Sequence, residues 1–105
     1  MAGRIPDSDI ARVRELSPIA DVVGEHVTLK SAGGGSLKGL CPFHDERSPS
    51  FNVTPARGFW HCFGCGEGGD VISFVQKIDQ LSFTEAVEHL AGRVGYELHY
   101  EQGGS

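Results

Sequence analysis

The chain changes its hydrophobic period twice, and the two changes divide it into helix, sheet and helix again. After Pro6, the residues Ile10, Val13 and Leu16 recur at the spacing of one helical face, with Asp7 or Ser8 available as a cap. Ser17-Pro18 restarts a short helix, a capping serine followed by proline at the first helical position. Ile19, Val22 and Val23 share a face of it until Gly24 stops it. From Val27 the period becomes two. "VTLK" and "SLKGL", joined across Ala32-Gly33-Gly34-Gly35, predict a hairpin. "SFNVT" alternates Phe51 and Val53 with polar neighbours, and Pro55-Ala56-Arg57-Gly58 turns the chain into a further strand, "FWHCF". After Gly68-Gly69 helical spacing returns. Asp70 caps a helix with Val71, Phe74, Val75 and Ile78 on one stripe. Ser82-x-x-Glu85 is a capping box with Leu81 and Ala86 at staple positions; it opens a helix that buries Phe83, Val87, Leu90 and Ala91 and ends near Gly95. "YELHY" reads as a last strand and Gln102-Gly103-Gly104-Ser105 as the start of a flexible linker. The expected fold class is α+β, a small antiparallel sheet flanked by helices. One domain spans residues 1–101, and 102–105 lead toward a longer protein.

Length and composition add a constraint on stability. A domain of 105 residues buries a modest fraction of its surface, so a metal or disulfide staple is expected. Three cysteines cannot close two disulfides, and "MAGRIPDSDIARVREL" turns polar too early for a signal peptide or membrane span. The expectation is a cytoplasmic protein with reduced thiols and no membrane partner. A net charge of −5 argues at first against nucleic acid, but its distribution softens the objection. Residues 1–26 net −2 and residues 66–105 net −5, whereas residues 27–65 net +2 through Lys30, Lys38, Arg47 and Arg57. The one basic region also holds every cysteine. Asp7 and Asp9, at a helix start, read as cap and dipole partners, not a catalytic pair.

"WHCFGCGEGG" at residues 60–69 fits three chemistries at once. A redox Cys-x2-Cys would leave Cys41 and His44 unexplained. The literal G-x-G-x-x-G of Gly64, Gly66 and Gly69 lacks the parallel strand, with its acidic residue about twenty positions on, that a dinucleotide site needs. A metal site uses everything: Cys41-Pro-Phe-His44, a spacer of seventeen residues, then Cys62-Phe-Gly-Cys65. Each two-residue gap forms a knuckle, and the spacer is long enough for a hairpin that returns one knuckle to the other. Cys3His at tetrahedral geometry suits one structural Zn2+, and the filled shell leaves no open position for catalysis. Gly64 and Gly66 supply the unusual backbone angles of the second knuckle. His61 is the rival for the fourth place, but strand neighbours face oppositely, so His61 faces away if Cys62 faces the metal. His26, His89 and His99 have no partner spacing and read as surface or rim residues.

"CPFHDERSPSFNV", "HCFGCGEGGDVISF" and "FTEAVEHLA", with the opening "MAGRIP", resemble the N-terminal zinc-binding domain of bacterial replicative primases of the DnaG type, over about residues 1–98. The resemblance implies a zinc ribbon. It implies an enzyme, as the full-length protein, that is a DNA-directed RNA polymerase laying short RNA primers on a single-stranded DNA template. The zinc domain would help select the initiation site and cooperate with the polymerase domain in cis or in trans. Mg2+ would bind only in that polymerase domain, which these residues lack, and the replicative helicase would be met through another domain not in this chain. The location would be the bacterial cytoplasm, at the replisome.

Single strands are bound by a positive track with aromatic platforms. With Trp60 buried beside the knuckles, Phe59 and His61 are left as the stacking or base-edge pair, and Lys30, Arg47 and Arg57 are placed to flank them, with Lys38 a weaker candidate. Three thiolates on zinc leave the metal site at −1, so the basic region nets about +1, and affinity for DNA should be low and salt-sensitive. Two other readings compete: a zinc ribbon used only for protein contact, and a phage-type or plasmid primase with a similar module.

Overall fold

The computed structural model describes residues 4–43 and 49–100. Two N-terminal helices, α1 (Asp7–Leu16) and α2 (Ile19–Gly24), lead into five strands: β1 (Lys30–Gly33), β2 (Ser36–Gly39), β3 (Phe51–Thr54), β4 (Phe59–Cys62) and β5 (Gly68–Asp70). Helices α3 (Val71–Asp79) and α4 (Phe83–Val94) follow. The sheet is antiparallel throughout, in the order β1-β2-β3-β4-β5. The α+β expectation is borne out.

Register decides which residues share a face. Leu37, Val53 and Trp60 are directly opposite one another across β2, β3 and β4, as are Gly39, Phe51 and Cys62. Val53, Trp60, Phe51 and Cys62 are fully buried, so this is the core face. Phe51 and Trp60 stack with ring centroids 5.2 Å apart, and Phe74 of α3 meets both edge-on at 6.0 Å. The indole Nε1 donates to the Asp70 carbonyl at 3.0 Å, which satisfies the one polar atom that this cluster buries.

The sheet begins later than its pattern suggests. Val27 stays with the end of α2, its N–H donating to the Val23 carbonyl at 2.9 Å, and pairing starts only at Lys30. Residues 27–29 instead lie against β2, where a Cβ on Gly39 would stand 2.6 Å from the Val27 side chain and 2.7 Å from the Thr28 carbonyl. A side chain there would force the two segments apart. The turn between β1 and β2 tightens to Gly34-Gly35, and Gly33 joins the strand with φ +87.

Gly68-Gly69 is a strand and not only a turn. β5 pairs with β4 as Trp60↔Gly69 and His61↔Gly68. Close approach is what requires glycine: a Cβ on Gly68 would meet the Trp60 carbonyl at 2.9 Å, and one on Gly69 the Ser73 Cβ at 2.9 Å.

Asp70 caps α3 by accepting from the Ser73 N–H, and Ser82 with Glu85 forms the full capping box of α4, which closes on Gly95 at φ +71. Neither N-terminal helix uses the cap its sequence offers. α1 is preceded by Pro6 and α2 by Pro18, without side-chain capping, because proline's fixed φ already sets the entry. Ser17 is displaced outward by one residue from the capping position, and its Oγ is buried with no hydrogen-bond partner. Phe83, expected in the core, is 45% exposed; Ala86 takes the inward place beside Val87, Leu90 and Ala91.

Residues 96–100 form no strand. They are held by Asp9, which is neither a cap nor solvated. Buried on α1, it accepts from the Tyr96 hydroxyl at 2.7 Å and the His99 N–H, and its Oδ1 lies 3.0 Å from His99 Nδ1. His99, expected as a surface residue, does stay exposed at its ring, yet it is tied down by its backbone. No helix among the described residues is long and apolar enough to cross a membrane.

The aromatic cluster and the tail each yield a measurable consequence. Truncating Phe51 to alanine opens a void beneath the sheet and is expected to cost about 3–5 kcal/mol in denaturant unfolding. At the tail, the Asp9 hydrogen bond and then its charge raise the His99 imidazole above the ordinary 6.5. The His99 backbone N–H, then the Tyr96 hydroxyl, lower the Asp9 carboxyl below 3.8. The imidazolium contribution is complete below 6.5 and fades as pH rises through the raised value; the carboxylate contribution is complete above 3.8 and fades as pH falls through the lowered one. Hydrogen exchange of residues 96–100, corrected for intrinsic rates, is therefore expected to be slowest between these two values. Asp9→Asn should return the His99 titration toward its ordinary midpoint and speed that exchange. A His99 midpoint unmoved by Asp9→Asn contradicts the attachment.

Candidate metal centre and nucleic-acid interface

The two cysteine segments meet at the end of the sheet. Strand β4 ends on Cys62, and the following turn is fixed by the Gly66 N–H donating to the Cys62 carbonyl at 2.8 Å and the Cys62 N–H to the Glu67 carbonyl at 2.8 Å. Gly66 takes φ +75, as a knuckle requires, whereas Gly64 does not need a left-handed backbone. Phe63 N–H donates to the Ser50 carbonyl at 2.9 Å, which ties the turn to the segment entering β3. On the other side, the Phe43 N–H donates to Cys41 Sγ at 3.4 Å, the amide-to-sulfur bond of the first knuckle. Phe43 anchors this knuckle in the core, with its ring 5.4 Å from Trp60 and 5.7 Å from Phe74.

The Sγ atoms of Cys41, Cys62 and Cys65 lie within 4.8 Å of one another, with Cys41 and Cys65 3.9 Å apart. Zn–S bonds of about 2.3 Å at tetrahedral angles place two sulfurs about 3.8 Å apart, so the trio fits one ion. Cys41 and Cys62 are buried and Cys65 is exposed. Burial pushes the Cys41 thiol up to about 12. Burial also pushes at Cys62, but the Cys65 N–H and the Ser50 hydroxyl outweigh it and bring that thiol down to about 7. A divalent cation offsets the repulsion of three thiolates in this space. His44, the expected fourth ligand, and Arg47 lie outside the described residues.

The opposite face of the sheet is open. His61 is on it, as strand parity predicts: Cys62 and Trp60 are fully buried while His61 is half-buried and Phe59 is exposed. His61 therefore is no ligand of the trio. Its ring instead packs edge-on against Phe63, with centroids 4.6 Å apart, and among the described residues Phe63 is the most exposed of the large apolar side chains. Register extends this face across four strands, because Lys30 is opposite Lys38, Lys38 opposite Asn52 and Asn52 opposite His61. These residues form one row. Lys38, the weaker candidate in the sequence, and Asn52, not considered there, both belong to it. Lys30–Lys38 and Asn52–His61 pair within the two turns that the sequence predicts, whereas no signal along the chain gives Lys38 opposite Asn52, which joins them. Phe59 stands at the other end of β4, beside the Pro55–Gly58 turn that carries Arg57.

The CHC2 zinc finger family matches residues 5–105. The chain belongs to that family. The order Cys41, His44, Cys62, Cys65 matches the order of letters in its description. As a CHC2 zinc finger, the chain is 64% identical over 104 residues to the DNA primase of Streptomyces coelicolor, covering 99% of this chain and 16% of that protein. It is 50% identical over 91 residues to the DNA primase of Enterococcus faecalis, covering 87% of this chain and 14% of that one. The crystal structure of the zinc binding and RNA polymerase domains of the Aquifex aeolicus primase matches with a TM-score of 0.81 at 41% identity, covering 87% of this chain and 22% of that one. The zinc-ribbon expectation is borne out by family and fold. The chain spans about a sixth of the length of these curated relatives.

Cys65 separates ligation from packing, because an exposed side chain contributes little to the core. Cys65→Ser is expected to lower zinc content and the thermal midpoint about as far as Cys41→Ser does, and chelation of the wild-type chain should lose the native near-ultraviolet spectrum. Full zinc occupancy in Cys65→Ser removes Cys65 from the ligand set.

Proposed function

We propose that this chain is the template-facing zinc domain of a DNA primase, holding one structural zinc ion through Cys41, His44, Cys62 and Cys65. In this reading the ion does no chemistry. It fixes two knuckles at one end of the sheet, as a disulfide would in a small secreted domain, and the sheet presents its open face to single-stranded DNA.

The observation that carries the reading is the pairing of Lys30 with Lys38. Like charges directly opposite on adjacent strands destabilise a sheet. Among the described residues neither lysine has a carboxylate partner, and both border a groove of about 580 Å³. An anion in that groove turns an unfavourable pair into a favourable site, and a phosphodiester is such an anion. Asn52 and His61, next in the row, offer amide and imidazole groups at hydrogen-bonding reach of base edges, and Phe63 offers a ring for stacking. Phosphates on the lysines and bases toward His61 give a strand both its track and its reading frame.

The polymerase domain, its Mg2+ and the contact with the replicative helicase belong to the rest of the longer protein, in the cytoplasm at the replisome. Residues 102–105, which lie outside the described residues, begin the linker to it. The zinc domain helps select where priming starts and acts with the polymerase domain in cis or in trans, with Arg47 and Arg57 at the borders of the track.

Two or three phosphate contacts give a plot of log affinity against log salt a slope of about −1.4 to −2.1 for single strands, and affinity weaker than micromolar at physiological salt. Lys38→Thr removes the repulsion as well as a contact. Unfolding stability of the zinc-loaded chain is expected to stay level or rise by a few tenths of a kcal/mol, to about 1 kcal/mol. Affinity for single-stranded DNA and site-specific priming by the full-length protein are expected to fall. Priming unchanged in the Lys30→Thr, Lys38→Thr double variant would make the sheet a protein-docking face instead.

A further inference from the structure

Ser50 lies at the join between the metal centre and the open face. It immediately precedes β3, which pairs with β4 from Phe51 opposite Cys62, so Ser50 comes level with Phe63 in the knuckle turn. Its two polar groups serve different neighbours. The hydroxyl Oγ lies 3.7 Å from Cys62 Sγ, a reach that the large radius of sulfur allows. The carbonyl accepts from the Phe63 N–H at 2.9 Å and from the Asn52 side-chain Nδ2 at 3.3 Å.

The hydroxyl answers a problem of burial. Three thiolates around a divalent ion leave an excess negative charge, and a buried charge needs donors around it. Cys65 is exposed and takes them from water, whereas Cys62 is fully buried and has to find them in the protein. The Cys65 N–H supplies one, and Ser50 Oγ is placed to supply another. A hydroxyl and a thiol can each donate, so without metal either side of this pair can hold the bridging proton. Metal removes that freedom. A ligating cysteine is a thiolate, which only accepts, so Ser50 has to donate.

The carbonyl carries the consequence to the open face. A carbonyl oxygen has two lone pairs, enough for both Phe63 and Asn52. Because Ser50 presents an acceptor there, the Asn52 amide turns its nitrogen inward and keeps Oδ1 and its second N–H for other partners. Phe63 packs edge-on against the His61 ring, and Asn52 is directly opposite His61. One residue thus touches a metal ligand with its side chain and holds two residues of the open face with its main chain.

We propose that Ser50 is a positioning residue for the metal centre, whose hydroxyl donates to the Cys62 thiolate in the zinc-loaded chain and whose carbonyl passes that fixed geometry to Phe63 and Asn52. The proposal rests on the zinc-binding reading above and extends it, since the order of the open face then depends on metal occupancy through Ser50.

Co2+ in place of Zn2+ makes the hydrogen bond visible, because charge-transfer absorption from thiolate sulfur to Co2+ follows the energy of the sulfur lone pairs. A donated hydrogen bond lowers that energy. Ser50→Ala is therefore expected to move the band to longer wavelength, and Ser50→Thr, which keeps the hydroxyl, to hold it near the wild-type position. Alanine leaves the carbonyl in place, so the first variant removes the hydroxyl alone. Zinc affinity, measured by competition with a chelator, should fall about tenfold in Ser50→Ala and far less in Ser50→Thr. In the zinc-loaded chain the Asn52 side-chain amide and the Phe63 backbone amide resonances should shift in Ser50→Ala and return in Ser50→Thr. A charge-transfer band unmoved by Ser50→Ala overturns the hydrogen bond. A moved band with unmoved Asn52 and Phe63 resonances overturns the link to the open face. Loss of the tetrahedral Co2+ spectrum in both variants makes residue 50 a steric requirement and overturns the role of its hydroxyl. A wild-type chain without that spectrum overturns the zinc-binding reading itself.

Discussion

Strand β4 sends Trp60 and Cys62 to one side and Phe59 and His61 to the other, because successive side chains of an extended chain project oppositely. Pairing with β3 then brings Phe51 opposite Cys62 and Val53 opposite Trp60. The sulfur that faces the metal thereby shares a layer with the stacked aromatic rings, and Phe43 carries the first knuckle into the same layer. A slip of one residue in this register would bury His61 and expose the cysteine. Core, metal centre and open face are thus three consequences of one alternation, and a metal at the cysteines pins the register that the aromatic packing selects.

Features that depend on local spacing were legible in the sequence. The capping box at Ser82 and Glu85, the Asp70 cap, the left-handed Gly95 and the parity of His61 against Cys62 each involve residues within one turn or one strand. What the sequence hid is long-range. Asp9 carries the signature of a helix-start acid, and nothing nearby announces that Tyr96 and His99 will reach it from the far end of the chain. Phe83 begins an amphipathic helix as an apolar residue, yet helix orientation gives its inward place to Ala86.

The glycines show how one composition admits two physical causes. Gly66 is needed for its backbone angle, φ +75. Gly68 and Gly69 are needed for the absence of a side chain, since β5 runs too close to the Trp60 carbonyl and to Ser73 for any Cβ. A string of glycines after a knuckle suggests flexibility, and it delivers an edge strand that passes directly into the Asp70 cap. Similarly, the lysine row exists only through pairing: Lys30, Lys38, Asn52 and His61 are scattered along the chain and become neighbours across four strands.

An acidic chain can present such a row because charge acts locally. At physiological ionic strength exposed charges are screened beyond about 8 Å. Much of the acidity is also engaged at once: Glu15 pairs with Arg12, Glu67 with Lys77, Glu25 with Arg93 and Asp70 with Arg14. Lys30 and Lys38 stand outside these pairs, so an anion at the open face would meet their field and little of the net −5. Two lysines are nevertheless few for a polyanion. A face of this strength would act on a polyanion only under a tether, since linkage raises effective concentration to about the millimolar range for short flexible linkers.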